Sequence, residues 1–278
     1  MKKHLYNKTI IISGASGGLG FAVAKLLIEK YNCNIIGIAR NEQKIQKAIQ
    51  LLGDKKDKFS YYLFDVSKKQ NWIDFAQQLT DKNIQIDMLI NNAGFMLPFE
   101  QFHLYSDDQI EEIINTNFIA NVNAVKILLP LLKKSSSPSI VNVSSAAGLT
   151  AVVGQSMYCA TKFAMRGFTE TLQQDYKKEI YVGGVYPGFI KTDILSRQTI
   201  DDKSNKLIQK LMMPVTKAAK KIVKGIAKKK KKIVMGVDGR FMSFFGRIMP
   251  KATPSIIRKV LKTSKLEMFD GVFKKGEK

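Results

Sequence analysis

Short apolar runs alternate with longer amphipathic segments along most of the chain. Thr9 to Ser13 is a β-branched run closed by a glycine, which is typical of a strand buried on both faces. In the next segment, residues 21–29, apolar residues recur at helical spacing, and a second apolar run spans residues 35–39. This order predicts a strand, a helix and a second strand.

The same alternation continues to residue 186. Further strands are predicted at residues 61–64, 88–90, 140–143 and 181–186, and further helices at residues 72–79, 106–130 and 158–176. Strands separated by helices need crossover connections, which favour a parallel sheet with helices on both faces. The pattern therefore predicts a doubly wound, Rossmann-like α/β fold that binds ligands at the carboxyl ends of its strands.

Beyond the sixth predicted strand the regular alternation is lost. A polar stretch at residues 201–205 leads into the apolar residues 211–214, which predicts a mobile loop with an apolar tip. Thr216 is predicted to cap a helix that ends near Lys228, and residues 233–237 are predicted to form a last strand.

Composition agrees with a soluble domain. The chain has 278 residues, of which 45% are apolar and 24% charged, a balance that allows a sizeable core. No apolar run reaches the ~18 residues that a bilayer span needs, and the basic start at residues 1–4 lacks a signal-peptide pattern. We therefore expect a cytoplasmic protein. Cys33 and Cys159 lack CxxC spacing, so buried thiols are expected and a metal site is not.

Positive charge is concentrated near the carboxyl end. Residues 203–278 hold 22 Lys/Arg against 4 Asp/Glu, whereas residues 1–202 hold 23 against 19. This asymmetry indicates an acidic partner, such as an anionic membrane surface, an acidic carrier protein or nucleic acid. Nucleic acid is the least favoured, because the basic segment has few arginines and no zinc, RRM or helix-turn-helix signature.

A glycine-rich segment, Ser13–Gly20 (SGASGGLG), joins the first predicted strand to the first predicted helix. Glycines permit a tight turn and close approach of a pyrophosphate, and the helix N-terminus offers free N–H groups. A purely structural turn would explain the same glycines, so this segment by itself does not establish phosphate binding.

Further motifs make the chain resemble the short-chain dehydrogenase/reductase superfamily. Three of them carry most of the resemblance: the glycine signature Gly14-x-x-x-Gly18-x-Gly20, the NNAG motif at residues 91–94 and the pair Tyr158-x-x-x-Lys162. Single residues that match the same pattern are Asn117, Ser145, Pro187, Gly188 and Thr192. Together the motifs cover residues 9 to about 192, and their joint order and spacing are highly specific.

The residues also suggest their own chemistry. Tyr158 and Lys162 are four positions apart, so on a helix they share one face. An adjacent ammonium and an oxidised nicotinamide would lower the tyrosine pKa from ~10 toward a useful range. In reduction Tyr158 would donate a proton to the substrate carbonyl oxygen as hydride arrives from the nicotinamide. Ser145 would hydrogen-bond that oxygen, and Ser144 would point to the other side of an extended strand.

The resemblance implies the other roles. Lys162 would also hold the nicotinamide ribose, Asn117 would seat a water between that lysine and solvent, and Thr192 would contact the nicotinamide amide. The resemblance further implies a homodimer or homotetramer, although the carboxyl-terminal extension could block a usual contact surface. Other positions expected at the cofactor are Gly14, Ser16, Gly17, Gly18, Leu19, Gly20, Asn92, Ala93, Gly94, Pro187 and Gly188.

The end of the second predicted strand bears on the choice of cofactor. NAD enzymes typically carry a carboxylate there for the ribose 2′-hydroxyl, but this chain has Ala39 followed by Arg40. The Arg40 guanidinium suits a 2′-phosphate, so NADP is predicted in preference to NAD. Alternatively, Arg40 merely precedes a solvated helix capped by Asn41. Asp65 resembles the family aspartate near the adenine amino group.

The extension departs from the usual family ending. We divide the chain into a domain at residues 1–240 and a basic extension at residues 241–278. Its first predicted helix has an apolar arc formed by Phe241, Met242, Phe244, Phe245, Ile248 and Met249. A second helix is predicted to start with Thr253 as its cap and Pro254 at its first position. Residues 241–266 are predicted to attach peripherally to an anionic bilayer, or to pack on the domain or on a partner subunit.

These features predict an NADP(H)-dependent oxidoreductase that interconverts a ketone or aldehyde and an alcohol. A lipophilic substrate is favoured by the apolar residues 95–97, 152–153 and 212–213. One alternative is a 3-oxoacyl-acyl-carrier-protein reductase. Another is a nucleotide-binding scaffold that acts through its basic tail, although a scaffold would not need the four predicted catalytic residues Asn117, Ser145, Tyr158 and Lys162.

Overall fold

The computed structural model describes residues 3–192, 194, 198, 212–264 and 266–273. Its strands are β1 (Thr9–Ser13), β2 (Asn34–Ala39), β3 (Phe59–Leu63), β4 (Met88–Asn91), β5 (Ser139–Val143), β6 (Tyr181–Pro187) and β7 (Lys232–Met235). Within the described residues they form one seven-stranded sheet in the order β3-β2-β1-β4-β5-β6-β7, and every pairing is parallel. The predicted doubly wound fold is confirmed, with its switch point between β1 and β4.

Helices connect the strands and continue beyond β7. They are α1 (Gly18–Tyr31), α2 (Glu42–Gln50), α3 (Lys69–Asp81), α4 (Asp107–Ile114), α5 (Ala120–Leu132), α6 (Ser156–Asp175), α7 (Val215–Ala227), α8 (Val237–Ile248), α9 (Ala252–Ser264) and α10 (Asp270–Phe273). Shorter 3₁₀ turns occupy Lys3–Leu5, Gly53–Lys58, Phe102–Leu104, Ala146–Gly148 and Glu267–Phe269.

Both faces of the sheet are buried because successive strand side chains point in opposite directions. Ile10 and Ile12 of β1 pack in one core with α1 and α7, whereas Ile11 packs in the other with α3 and α5. Each fully buried isoleucine contributes about 2 kcal/mol of apolar burial. This explains why the strands are continuous apolar runs.

A buried polar ladder aligns the strands beneath the site. Asn91 and Asn142 are partners in the register of β4 and β5, and the Asn91 side-chain amide donates to the Asn142 amide oxygen at 2.9 Å. Asn142 in turn donates to the Thr169 hydroxyl of α6 at 2.9 Å. The loops that follow β4 and β5 are therefore held in fixed positions relative to α6.

The predicted helix over residues 106–130 is wrong as one element. The structure has α4 and α5 joined by a π-helical turn at Asn115–Ile119, which turns Asn117 inward to complete burial. The helix also continues past Pro130 to Leu132, because Leu132 is buried in the core.

Two predicted caps are also wrong. Thr216 lies within the first turn of α7, which begins after the extended residue Pro214. Thr253 likewise lies inside α9, and its hydroxyl donates to the Met249 carbonyl at 2.8 Å. The last strand ends before residue 237, because Gly236, with φ of 90°, turns the chain into α8.

The predicted loop around residues 201–205 lies outside the described residues. The described part of its apolar tip is docked, because Met213 exchanges backbone hydrogen bonds with Phe189 and Lys191 at 3.0 Å each. The helix α8 crosses residue 240, where we divided the chain, and that division stays a prediction. Among the residues that the structure describes, no helix has the length and apolar character needed to cross a bilayer.

Candidate active site

A pocket of about 420 Å³ opens at the carboxyl ends of the strands, where the fold class predicts it. The predicted site residues that line it are Gly14, Ser16, Gly17, Gly18, Leu19, Arg40, Asn92, Ala93, Gly94, Ser145, Tyr158, Lys162, Pro187, Gly188 and Thr192. Three predicted residues, Gly20, Asp65 and Asn117, do not line it.

The glycine-rich loop presents backbone to the pocket. Gly14 has φ of 67°, and its N–H donates to the Ile38 carbonyl of β2 at 2.9 Å, which ties the turn to the sheet. A Cβ on Gly17 would meet nothing within 4 Å, and no side chain caps the start of α1 there. A Cβ on Gly20 would overlap the Gly14 carbonyl oxygen, so Gly20 lets α1 approach the loop closely. The open helix start suits a phosphate group.

Hydrogen bonds join the NNAG segment to this loop. The Ser13 hydroxyl accepts from the backbone N–H groups of Asn92 and Ala93 at 3.0 Å each. The Asn92 side chain donates back to the carbonyls of Ser13 and Gly14 at 3.0 and 3.2 Å. The motif thus holds the glycine-rich loop in place, and the sequence pattern did not indicate the part played by Ser13.

Asn117 holds the segment that follows the NNAG motif. Its side-chain oxygen accepts from Phe95 N–H at 3.0 Å, and its side-chain nitrogen donates to the Phe95 carbonyl at 2.9 Å. A Cβ on Gly94 would lie 2.9 Å from that Asn117 oxygen and 3.4 Å from Lys162 Nζ. Asn117 is therefore a positioning residue behind the pocket wall, and the water that the resemblance implies stays a prediction.

Tyr158 and Lys162 meet on one face of α6, as their spacing predicts. Both side chains are buried, at 6% and 4% exposure, and Lys162 Nζ lies 5.6 Å from the centre of the Tyr158 ring. The ammonium donates to the Val143 carbonyl at 3.3 Å. Ser144 also lines the pocket and donates to the Lys162 carbonyl at 2.8 Å, whereas Ser145 accepts from Ala147 N–H at 3.1 Å.

Burial governs the pKa values of both side chains. Burial raises the pKa of Tyr158 to about 12, and a hydrogen bond with Ser145 lowers that pKa only in part. Burial also lowers the pKa of Lys162 to about 8. The predicted lowering of the tyrosine pKa requires an oxidised nicotinamide beside the ring as well as the lysine, so it stays a prediction for the cofactor-bound enzyme. Tyr158 keeps its proton at neutral pH, which suits a proton donor.

Two cationic side chains also line the pocket. Arg40 lines it as predicted, and so does Lys44, which the sequence pattern did not indicate. Asn41 caps α2 by accepting from Lys44 N–H at 2.8 Å, which is compatible with both interpretations of Arg40. Asp65 lies elsewhere, and its carboxylate accepts from Ser67 N–H at 2.9 Å within the turn that precedes α3.

The remaining wall is mostly apolar. Met96 and Val152 of the predicted apolar segments line the pocket, together with Phe99, Ile194 and Met242. Met242 belongs to α8, so the extension supplies part of the wall, which only its position in the fold could reveal.

Two polar residues that the sequence pattern missed also line the pocket. Gln155, one turn before Tyr158, donates to the carbonyls of Leu97 and Pro98 at 2.9 and 3.2 Å. Asp238 accepts from Phe189 N–H at 2.6 Å and so ties the start of α8 to the loop after β6. Both fix the backbone of segments that form the wall.

Comparison with known proteins shows the family of this chain. The family model of short chain dehydrogenases matches residues 8–203. The chain belongs to this family. One similar relative is an uncharacterized oxidoreductase of Listeria innocua, 32% identical over 200 residues that make up 71% of this chain and 79% of the relative. Another is a 3-oxoacyl-(acyl-carrier-protein) reductase of Chlamydia muridarum, 36% identical over 197 residues, or 70% of this chain and 78% of the relative.

Solved structures of low identity share the fold. A short-chain dehydrogenase from Streptomyces avermitilis has a TM-score of 0.76 at 22% identity and covers 92% of this chain and 97% of its own. A Burkholderia phymatum short-chain dehydrogenase/reductase in complex with NAD has a TM-score of 0.75 at 18% identity, with coverages of 94% and 96%. An alcohol dehydrogenase from Thermococcus sibiricus, complexed with 5-hydroxy-NADP, has a TM-score of 0.70 at 22% identity, with coverages of 81% and 93%. The protein is thus a Rossmann-like oxidoreductase of the short-chain dehydrogenase family.

Proposed function

We propose that this oxidoreductase uses NADP(H) to interconvert a ketone or aldehyde and an alcohol on a lipophilic substrate. The observation that carries the proposal is the buried Tyr158 beside Ser145 and Lys162, in one pocket with the glycine-rich loop. The relatives are oxidoreductases, and two of the solved structures with this fold contain a nicotinamide nucleotide.

The pocket residues fit a nicotinamide dinucleotide. The open start of α1 and the backbone at Gly17 suit the pyrophosphate, and Arg40 with Lys44 suits a 2′-phosphate. Lys162 would hold ribose hydroxyls, and Thr192 the nicotinamide amide. When bound, the reduced cofactor supplies the hydride.

The chain's own residues would handle the proton. The Tyr158 hydroxyl donates its proton to the substrate carbonyl oxygen, and Ser145 hydrogen-bonds the same oxygen to orient it. The phenolate that remains is stabilised by the Lys162 ammonium, which lies 5.6 Å from the ring centre. Because both side chains are buried, this charge interaction is stronger than it would be in water.

The apolar wall supports a lipophilic substrate. Met96, Phe99, Val152 and Met242 line the pocket and would exclude water from the reacting carbonyl. A 3-oxoacyl group on an acyl carrier protein is a second candidate, favoured by the 36% identical reductase of Chlamydia muridarum. A homodimer or homotetramer stays a prediction.

A screen of carbonyl substrates tests this function. Oxidation of NADPH and of NADH is followed with aliphatic ketones and aldehydes of increasing chain length. The same assay is run separately with 3-oxoacyl thioesters, both free and bound to acyl carrier protein. We expect turnover that rises with chain length and prefers NADPH. Turnover only with the carrier-linked thioester would favour the second candidate. If the protein binds a nicotinamide cofactor specifically but turns over no carbonyl compound, the nucleotide-binding scaffold is favoured.

The cofactor preference depends on Arg40 in this proposal. Arg40→Asp should reduce the ratio of kcat/KM with NADPH to that with NADH by about 10–100-fold, because a charge-assisted contact to the 2′-phosphate is replaced by repulsion. The matched control is Lys47→Asp on α2, which makes the same charge change outside the pocket lining. An unchanged ratio in Arg40→Asp would contradict the assignment.

A further inference from the structure

The helix α8 has two different faces. Met242 is buried and lines the pocket, whereas Phe244 and Ile248 are each 60% exposed and Val237 is 89% exposed. These three exposed positions are seven and four residues apart, so they form one stripe on the helix. Arg240 and Arg247 are also exposed. We call the exposed residues of α8 and α9 the outer face.

The helix α9 also carries exposed apolar residues. Ile256 and Val260, one turn apart, are 41% and 59% exposed, and Lys259 and Lys262 are exposed beside them. Six of the fifteen exposed large apolar side chains in the described part of the chain lie within residues 237–260. Such clustering marks an interaction surface, because monomeric soluble proteins rarely gather exposed apolar groups in this way.

The charge of this segment indicates the kind of partner. Residues 237–264 contain six Lys/Arg and a single acidic residue, Asp238, whose carboxylate accepts from Phe189 N–H. Five further lysines occupy residues 228–232. The partner must therefore be anionic and also accept exposed aromatic and aliphatic side chains. An anionic lipid bilayer offers phosphate groups above an apolar layer and meets both requirements.

We propose that the outer face of α8 and α9 binds the surface of an anionic bilayer. Phe244 and Ile248 enter the headgroup region, and the surrounding arginines and lysines contact lipid phosphates. Because α8 also supplies Met242 to the pocket, binding would hold the substrate end of the pocket about one helix diameter, ~10 Å, from the lipid. This inference rests on the exposed faces and the charge, and it does not depend on the proposed reaction.

Sedimentation of the full chain with vesicles tests the proposal. Vesicles of phosphatidylcholine are compared with vesicles that also contain phosphatidylglycerol, at low and at physiological salt. We expect binding to the anionic vesicles, and Phe244→Glu with Ile248→Glu should weaken it at least about tenfold. The matched control is Leu51→Glu with Ile73→Glu, which alters two exposed apolar residues elsewhere and changes the net charge equally. This control should bind within about twofold of the wild type.

A fluorescence measurement reports insertion directly. The single native tryptophan, Trp72, is buried, so Phe244→Trp introduces an exposed reporter on the outer face. Its emission should shift to shorter wavelength on anionic vesicles and stay unchanged on neutral ones. Melting curves of every variant show whether it is folded.

Three results would overturn the proposal. Equal weakening by both double variants would mean that overall charge governs binding. If the wild type does not sediment with anionic vesicles and instead forms an oligomer that Phe244→Glu dissociates, the outer face is a contact between copies of this chain. Sedimentation without any shift of the introduced tryptophan would exclude apolar insertion.

Discussion

Tyr158→Phe is expected to lower kcat/KM for carbonyl reduction by about 10²–10⁴-fold, the range for loss of a positioned general acid. The change removes one hydroxyl and keeps the ring, which is buried at 6% exposure, so the pocket wall should be preserved. Burial raises the pKa of Tyr158 to about 12, so the wild-type side chain is a proton donor at neutral pH. Without that proton the developing alkoxide has to be neutralised by a poorer donor.

The measurement is NADPH oxidation with the best substrate of the carbonyl screen. The matched control is Tyr176→Phe, the same chemical change at the end of α6 and outside the pocket lining. Its kcat/KM should stay within about twofold of the wild type. Affinity for NADPH should change little in Tyr158→Phe, since the hydroxyl acts on the substrate. Equal turnover by Tyr158→Phe and the wild type would exclude the proposed mechanism.

Lys162→Met is expected to lower kcat/KM by about 10²–10³-fold and also to raise the melting temperature. The activity falls because the phenolate loses its neighbouring ammonium and the nicotinamide ribose loses a hydrogen-bond donor. In the wild type, folding buries an ammonium whose pKa falls from 10.5 to about 8, and below pH 8 this burial lowers the free energy of unfolding by about 3 kcal/mol. The stability rises in Lys162→Met because methionine removes this cost. Loss of the hydrogen bond to the Val143 carbonyl offsets part of this stabilisation, so the free energy of unfolding is expected to rise by about 1–3 kcal/mol.

The pH dependence of that gain has a defined sign. The unfolded chain binds more protons at Lys162 between the folded pKa of about 8 and the ordinary lysine pKa of 10.5, so wild-type stability rises with pH in that window. The advantage of Lys162→Met is therefore largest below pH 8 and shrinks as pH approaches the unfolded pKa. Thermal or urea unfolding of both proteins across pH 6 to 10 measures this difference.

The exposed Lys126 of α5 provides the control. Lys126→Met removes the same charge and should leave both the melting temperature and its pH dependence nearly unchanged. A melting temperature of Lys162→Met below that of the wild type at every pH would contradict the predicted cost of burying the ammonium.

Local patterns in the sequence were sufficient for the fold class. The isoleucine run of β1 indicates burial on both faces by itself, and its alternation with helical segments requires crossover connections. The spacing of Tyr158 and Lys162 places both on one helical face without reference to any distant residue. Motif order therefore indicated the family, and the predicted residues that line the pocket all lie within residues 14–192 of that pattern.

Only the tertiary structure decided how these residues are surrounded. The π-helical turn directs Asn117 to the Phe95 backbone, and burial by neighbours from several elements raises the Tyr158 pKa. The position of α8 brings Met242 to the pocket and leaves Phe244 outside. Hydrophobic periodicity reveals which residues of a helix are apolar. Which apolar residues are covered depends on contacts between residues far apart in the sequence, and desolvation follows from the same contacts.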